Sequence, residues 1–170
     1  MVRLFAALSI AAAFAFGGKY LAFIAREKAE IIREILQMIN VIETRLRFNA
    51  TPVSQLLALI EDSGCARLGF VRECRAEVER GCAFSDAWKK SIGDCRYLCA
   101  LLPDDMRQLI AMGADIGITD IEGQLACCGY NRQVFEKSLR EKEEKSTQST
   151  KLFPPLGLLA GVSAAMFLLP

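Results

Sequence analysis

The chain has 170 residues and a formal net charge of +1, room for one globular unit and no global field that would draw nucleic acid or an acidic substrate. It contains no histidine, which removes the commonest general acid/base, the usual catalytic triads and most zinc ligand sets. It also lacks GxxxxGK[ST] and GxGxxG, so it has no recognisable phosphate cradle. The first element is an apolar run, LFAALSIAAAFAF (residues 4–16), followed by Gly17-Gly18-Lys19 and a second apolar stretch to Ala25. As a helix, residues 4–25 would cover roughly 33 Å, enough for a hydrocarbon core of about 30 Å, with Lys19 snorkelling near one end. A cleaved signal peptide is the alternative. Against it, apolar character resumes after Lys19 and no A-x-A site is followed by polar sequence.

Residues 26–151 read as helices with short breaks. Ile32, Ile35, Ile39, Ile42 and Leu46 form a heptad-like seam in a helix continuous with the first apolar run. Thr51-Pro52 starts the next helix, with Thr51 as N-cap and Pro52 in its first turn. Val53, Leu56, Leu57 and Ile60 are its inner face, and Ser63-Gly64 breaks it. A third helix over about 67–80 turns Phe70, Val71, Cys74 and Val78 inward, and Gly81 closes it. Ser85 caps a fourth, where Phe84, Trp88 and Ile92 share a face and Trp88 anchors the core. Pro103-Asp104-Asp105 opens a fifth, the carboxylates favoured by the helix dipole, with Met106, Leu109, Gly113 and Ile116 inward and Gly117 as the stop.

Thr119-Asp120-Ile121-Glu122 is a T-x-x-E capping box for the last helix, along which Ile121, Leu125, Cys128, Phe135 and Leu139 keep a seven-residue rhythm. Ser146–Thr150 is a weakly helical hinge. After it, residues 152–169 carry no charge up to Leu169 and would span about 27 Å as a second membrane helix, with Pro154 and Pro155 in its first turn. No β-alternation of useful length is present. The expected architecture is all-α: a bundle of about six helices flanked by N- and C-terminal transmembrane helices. Basic residues next to both apolar segments place the central domain in the cytoplasm and both termini outside.

Seven cysteines invite a metal or redox reading, but there is no CxxC and no histidine to complete a tetrahedron. In a reducing compartment they serve better as small hydrophobes. The paired carboxylates Asp104/Asp105 and Asp115/Asp120 are explained by helix starts and a turn rather than a metal. No catalytic residue, cofactor, nucleic acid or small-molecule substrate is expected.

The order of features resembles the stage III sporulation protein AB family over nearly the whole chain. The specific parts are IETRLRFNATPV (42–53), FSDAWKKS (84–91), LPDDMRQLIAMGADIGITDIEGQ (102–124) and LGLLAG (156–161). The family's acidic residue, aromatic and Thr-Pro are here Glu43, Phe48 and Thr51-Pro52; its Ala-Trp is Ala87-Trp88; its Gly, Ser-Asp and Gln are Gly117, Thr119-Asp120 and Gln124. Thr119 replaces the usual Ser, and Arg45 falls where the family more often has an acidic-then-apolar pair. The resemblance implies a non-enzymatic domain similar to the F platform of type II secretion and type IV pilus systems. It would lie in the mother-cell membrane at the engulfed forespore, in a secretion-like channel complex assembled from the AA to AH proteins. A secretion-type ATPase, the AA protein, would dock on it. Glu43, Arg45, Asp104, Asp105, Asp120 and Gln124 are the candidate partner-binding residues, and Thr51, Pro52, Trp88, Gly117, Thr119 and Glu122 the candidate structural ones.

Overall fold

Among the described residues the chain forms six α-helices and one 3₁₀ turn, with no strand. A computed structural model of the chain describes the backbone of residues 2–48, 52–116 and 119–168. Its described side chains are those of 23–48, 52–116 and 119–145, with Ser9, Gly17, Tyr20 and Thr147. The elements are α1 (Val2–Phe48), α2 (Val53–Asp62), α3 (Phe70–Glu79), α4 (Phe84–Asp94), the turn Arg96–Ala100, α5 (Pro103–Asp115) and α6 (Ile121–Leu168).

The chain divides into two units, Glu30–Leu139 and a second made of Met1–Ala29 with Arg140–Pro170. The first holds the core. Ile31, Ile32, Ile35, Met38, Ile39 and Ile42 of α1 are fully buried, a stripe wider than the heptad seam because Ile31 and Met38, on one flank of it, also pack. Leu56, Leu57 and Ile60 of α2, Phe70, Val71 and Cys74 of α3, Trp88 and Ile92 of α4, Leu109 and Met112 of α5, and Cys128 and Phe135 of α6 complete it.

Trp88 is the keystone of this packing. Its indole N–H donates to the Leu109 carbonyl at 2.9 Å, and its ring meets the edge of Phe70 at 4.9 Å and the tilted ring of Phe84 at 5.4 Å. Gly113 makes the fit possible. A Cβ there would lie 2.0 Å from Trp88 Cδ1, so α5 can approach the indole only where it has no side chain.

Gly64 and Gly81 end α2 and α3 with φ of +85° and +93°, the left-handed conformation that favours glycine. Several helix starts differ from those read in the sequence. Pro52 is not in the first turn but precedes it, extended at ψ 145°, and its carbonyl accepts the first helical bond from Leu56 N. Thr51 and Gly117 lie outside the described residues. α3 begins at Phe70 because Ala66–Leu68 are taken up by tight turns. Ala83, not Ser85, is the N-cap of α4, and it offers no side-chain cap.

At α6 the T-x-x-E box is replaced by a neighbouring device. The carboxylate of Asp120 accepts the Gly123 N–H at 2.9 Å, and Gln124 Nε2 donates back to the Thr119 carbonyl at 2.8 Å. The helix starts one residue later than the box requires, so Asp120 is the cap and Glu122 lies exposed in the first turn. Ile121, expected inward, is 46% exposed. The expected hinge at 146–150 is helical, and Pro154 and Pro155 fall inside α6 rather than at a helix start. Among the described residues no helix is long and apolar enough to cross a membrane. The segments read as spans, 4–25 and 152–169, are helical in backbone up to Leu168, while nearly all their side chains lie outside the described residues.

Candidate protein-binding surface

The six candidate partner-binding residues are held in different ways. Glu43 is engaged inside the chain, its carboxylate paired with the Arg132 guanidinium of α6. Asp105 is buried and accepts the Ser138 hydroxyl at 2.6 Å. Asp120 and Gln124 form the α6 cap. That leaves Asp104, exposed and paired with Arg107 one turn on, and Arg45, exposed beside a shallow cleft with Asn40, Thr44, Leu59 and Asp62. Asp104 and Arg107 form the sort of exposed ion pair that contributes little to stability.

A different surface stands out. An open groove of about 590 Å³ runs between the end of α2, the 64–69 loop, the start of α3 and the 94–97 segment. Its floor includes the buried Ile60, Leu68 and Val71, with Cys65 and Cys95. On its rim stand Arg72, Arg96 and Tyr97, exposed and without a side-chain hydrogen bond or ion pair among the described residues, together with the exposed carboxylates of Glu61, Glu73 and Asp94.

The loop that forms the groove is fastened to α1. Glu34 accepts the Arg67 backbone N–H at 2.7 Å and its guanidinium at 2.9 Å, and Gln37 Nε2 donates to the Ser63 carbonyl at 2.6 Å. The groove is thus preformed by charge-assisted bonds rather than shaped on contact. Sequence reasoning missed it because Glu34 sits off the apolar seam, where it reads as a solvated charge. Its partner is 33 residues away, and no local periodicity encodes that distance.

The seven cysteines are free thiols. Burial pushes the thiols of Cys74 and Cys128 up to about 12, with Cys127 and Glu43 adding to the second. Burial also raises Cys65, against the opposing Ser63 hydrogen bond, and burial followed by Asp115 raises Cys127. A thiol held protonated is a poor nucleophile and metal ligand. Among the described residues no group of three or more Cys, Asp or Glu could hold a metal ion.

The family model for stage III sporulation protein AB matches residues 3–169. The chain belongs to that family. It is therefore a sporulation component. No curated protein and no solved structure gave a match. Three of the family-like segments are now accounted for within the unit: 42–53 carries Glu43, 84–91 carries Trp88, and 102–124 carries Gly113 and the α6 cap. Glu43 pairs with Arg132, Trp88 and Gly113 pack against each other, and Asp120 and Gln124 cap α6.

Proposed function

We propose that this family member is a non-enzymatic membrane platform on which a secretion-type ATPase, the AA protein of the stage III complex, docks from the cytoplasm. The observation that carries the reading is the preformed groove, with an apolar floor and a rim on which Tyr97, Arg72 and Arg96, whose side chains the described residues do not engage, stand beside the carboxylates of Glu61, Glu73 and Asp94. Tyr and Arg are the residue types that dominate binding energy at protein interfaces. The absence of histidine and the raised thiols argue in the same direction, away from chemistry on this chain.

In this account the apolar ends, 4–25 and 152–169, anchor the protein in the mother-cell membrane at the engulfed forespore, with both termini outside. Residues 26–151 face the ATPase, and the other AA to AH proteins are neighbours in the assembly. Support comes from the uncharged sequence of the ends and from the basic residues Arg26, Lys28, Lys145 and Lys151 beside them. Helix α1 enters the Glu30–Leu139 unit and α6 leaves it without a break in either helix.

The test is co-purification of the full-length chain in detergent with the ATPase, with and without nucleotide. Saturable binding is expected. Absence of binding at tens of micromolar, with the helical protein intact by circular dichroism, overturns the docking claim.

A further inference from the structure

Within the Glu30–Leu139 unit, α1 and α6 contribute stretches of equal length, 30–48 and 121–139, to one core. They are held very differently. On α1, Ile31, Ile32, Ile35, Met38, Ile39 and Ile42 are all buried to 2% or less. Among the described residues of 121–139, only Cys128 and Phe135 are buried apolar side chains. What fastens α6 instead is polar. Asn131, 2% exposed, accepts from Gln108 of α5 at 2.9 Å, and its own amide donates to the Cys127 carbonyl at 2.8 Å. Ser138 donates to the buried Asp105 of α5 at 2.6 Å. Arg132 pairs with Glu43 of α1.

The spacing makes these contacts a set. Asn131 and Ser138 are one heptad apart on α6, facing Gln108 and Asp105 one turn apart on α5, with Arg132 reaching α1 between them. Hydrogen bonds fail within about 0.5 Å of lengthening. No buried side-chain nitrogen or oxygen of the described residues lacks a partner in this position. Water can replace each of these bonds when the helix lifts, but it cannot replace the apolar contacts of α1.

We infer that α6 is latched onto the core by these three polar contacts, and that its 121–139 stretch opens as a unit while α1–α5 stay packed. Local opening of this kind is expected where buried apolar area is small and polar bonds dominate. The latch supplies the bundle with a conformational freedom confined to the helix that continues toward the C-terminal apolar end.

Native-state hydrogen exchange on the full-length chain in detergent tests it. Amides of 125–139 should exchange at least about tenfold faster than those of 35–42 in α1, because they need only the local opening. Ser138→Ala should speed α6 exchange about tenfold through loss of one buried bond, and Arg132→Met should act in the same direction. Val71→Ala, which weakens the core under the groove, should speed exchange in α1–α4 and leave α6 unchanged. Equal exchange in α6 and α1 overturns the latch. So does a Val71→Ala effect as large on α6 as on α1, since both results mean that α6 opens only when the whole unit unfolds.

Discussion

Replacing Gly113 by alanine adds one methyl to α5 at the most crowded point of the core. The new Cβ would lie 2.0 Å from Trp88 Cδ1, 2.3 Å from Nε1 and 2.4 Å from Cγ. Ordinary contact needs the indole to retreat by more than about 1 Å, yet Phe70 and Phe84 hold its other sides. Retreat also breaks the 2.9 Å bond to the Leu109 carbonyl. Overpacking of this kind costs about 1–3 kcal/mol, and a buried N–H left unpaired costs a further ~1–3 kcal/mol. Alanine recovers about 1 kcal/mol as a better helix former. The net loss is about 1–5 kcal/mol, a fall in melting temperature on the order of 10 °C. Urea unfolding followed by the emission of Trp88, the single tryptophan, reports the perturbed site directly. Gly129→Ala is the control: nothing lies within 4 Å of its added Cβ, so it should stabilise by about 0.5–1 kcal/mol. An unchanged midpoint and unchanged emission in Gly113→Ala would refute the close approach of α5 to the indole.

Three further outcomes are expected. Asp120→Ala should destabilise by ~1 kcal/mol and Thr119→Ala by no more than a few tenths in urea titration, because Asp120 and not Thr119 caps α6; the reverse order would restore the capping box. A double-mutant cycle on Glu43 and Arg132 should give a coupling of about 0.5–1 kcal/mol, since the arginine is 36% exposed and partly screened while the glutamate is largely covered; zero coupling would mean the two helices are not joined there. In the native protein a maleimide should label Cys82 and Cys99 fast, Cys128 only as the 121–139 stretch of α6 opens, and Cys74 only on unfolding, as mass spectrometry would show. The last two thiols also set a pH dependence. Their folded pKa, about 12, lies above the unfolded value near 9, so their contribution is intact below pH 9 and is lost as pH rises toward 12. Each should cost about 1.4 kcal/mol per pH unit in that window, and the alkaline slope of stability should lessen in Cys74→Ala.

Much of the fold was legible because it is written locally. Apolar spacing marked the inner faces of α2, α3 and α4, Pro103 marked the start of α5, and Gly64 and Gly81 marked the ends of α2 and α3. What misled was chemistry with two equivalent local readings. Thr119 and Asp120 are both good caps, and only the helix register decides between them. Ser146–Thr150 has weak propensity, yet backbone hydrogen bonding carries the helix through it. The surface was the least legible part. Glu43 and Asp105 look like solvated charges in sequence, but Arg132 and Ser138 reach them across the core from 89 and 33 residues away. The groove depends on Glu34 holding Arg67, another long-range pairing that periodicity does not carry.

The most direct measurement of the docking claim is the affinity of the full-length protein for the AA ATPase, compared between the wild type, a groove variant Arg96→Ala/Tyr97→Ala, and Asp104→Ala. Hot-spot truncation costs about 2 kcal/mol or more, so the groove variant should bind at least about thirtyfold more weakly, with its melting temperature unchanged. Asp104→Ala should stay within about twofold of the wild type, as its exposed pair contributes little. Equal affinity for all three would place the ATPase elsewhere on the bundle, and no binding by the folded wild type would contradict the platform itself.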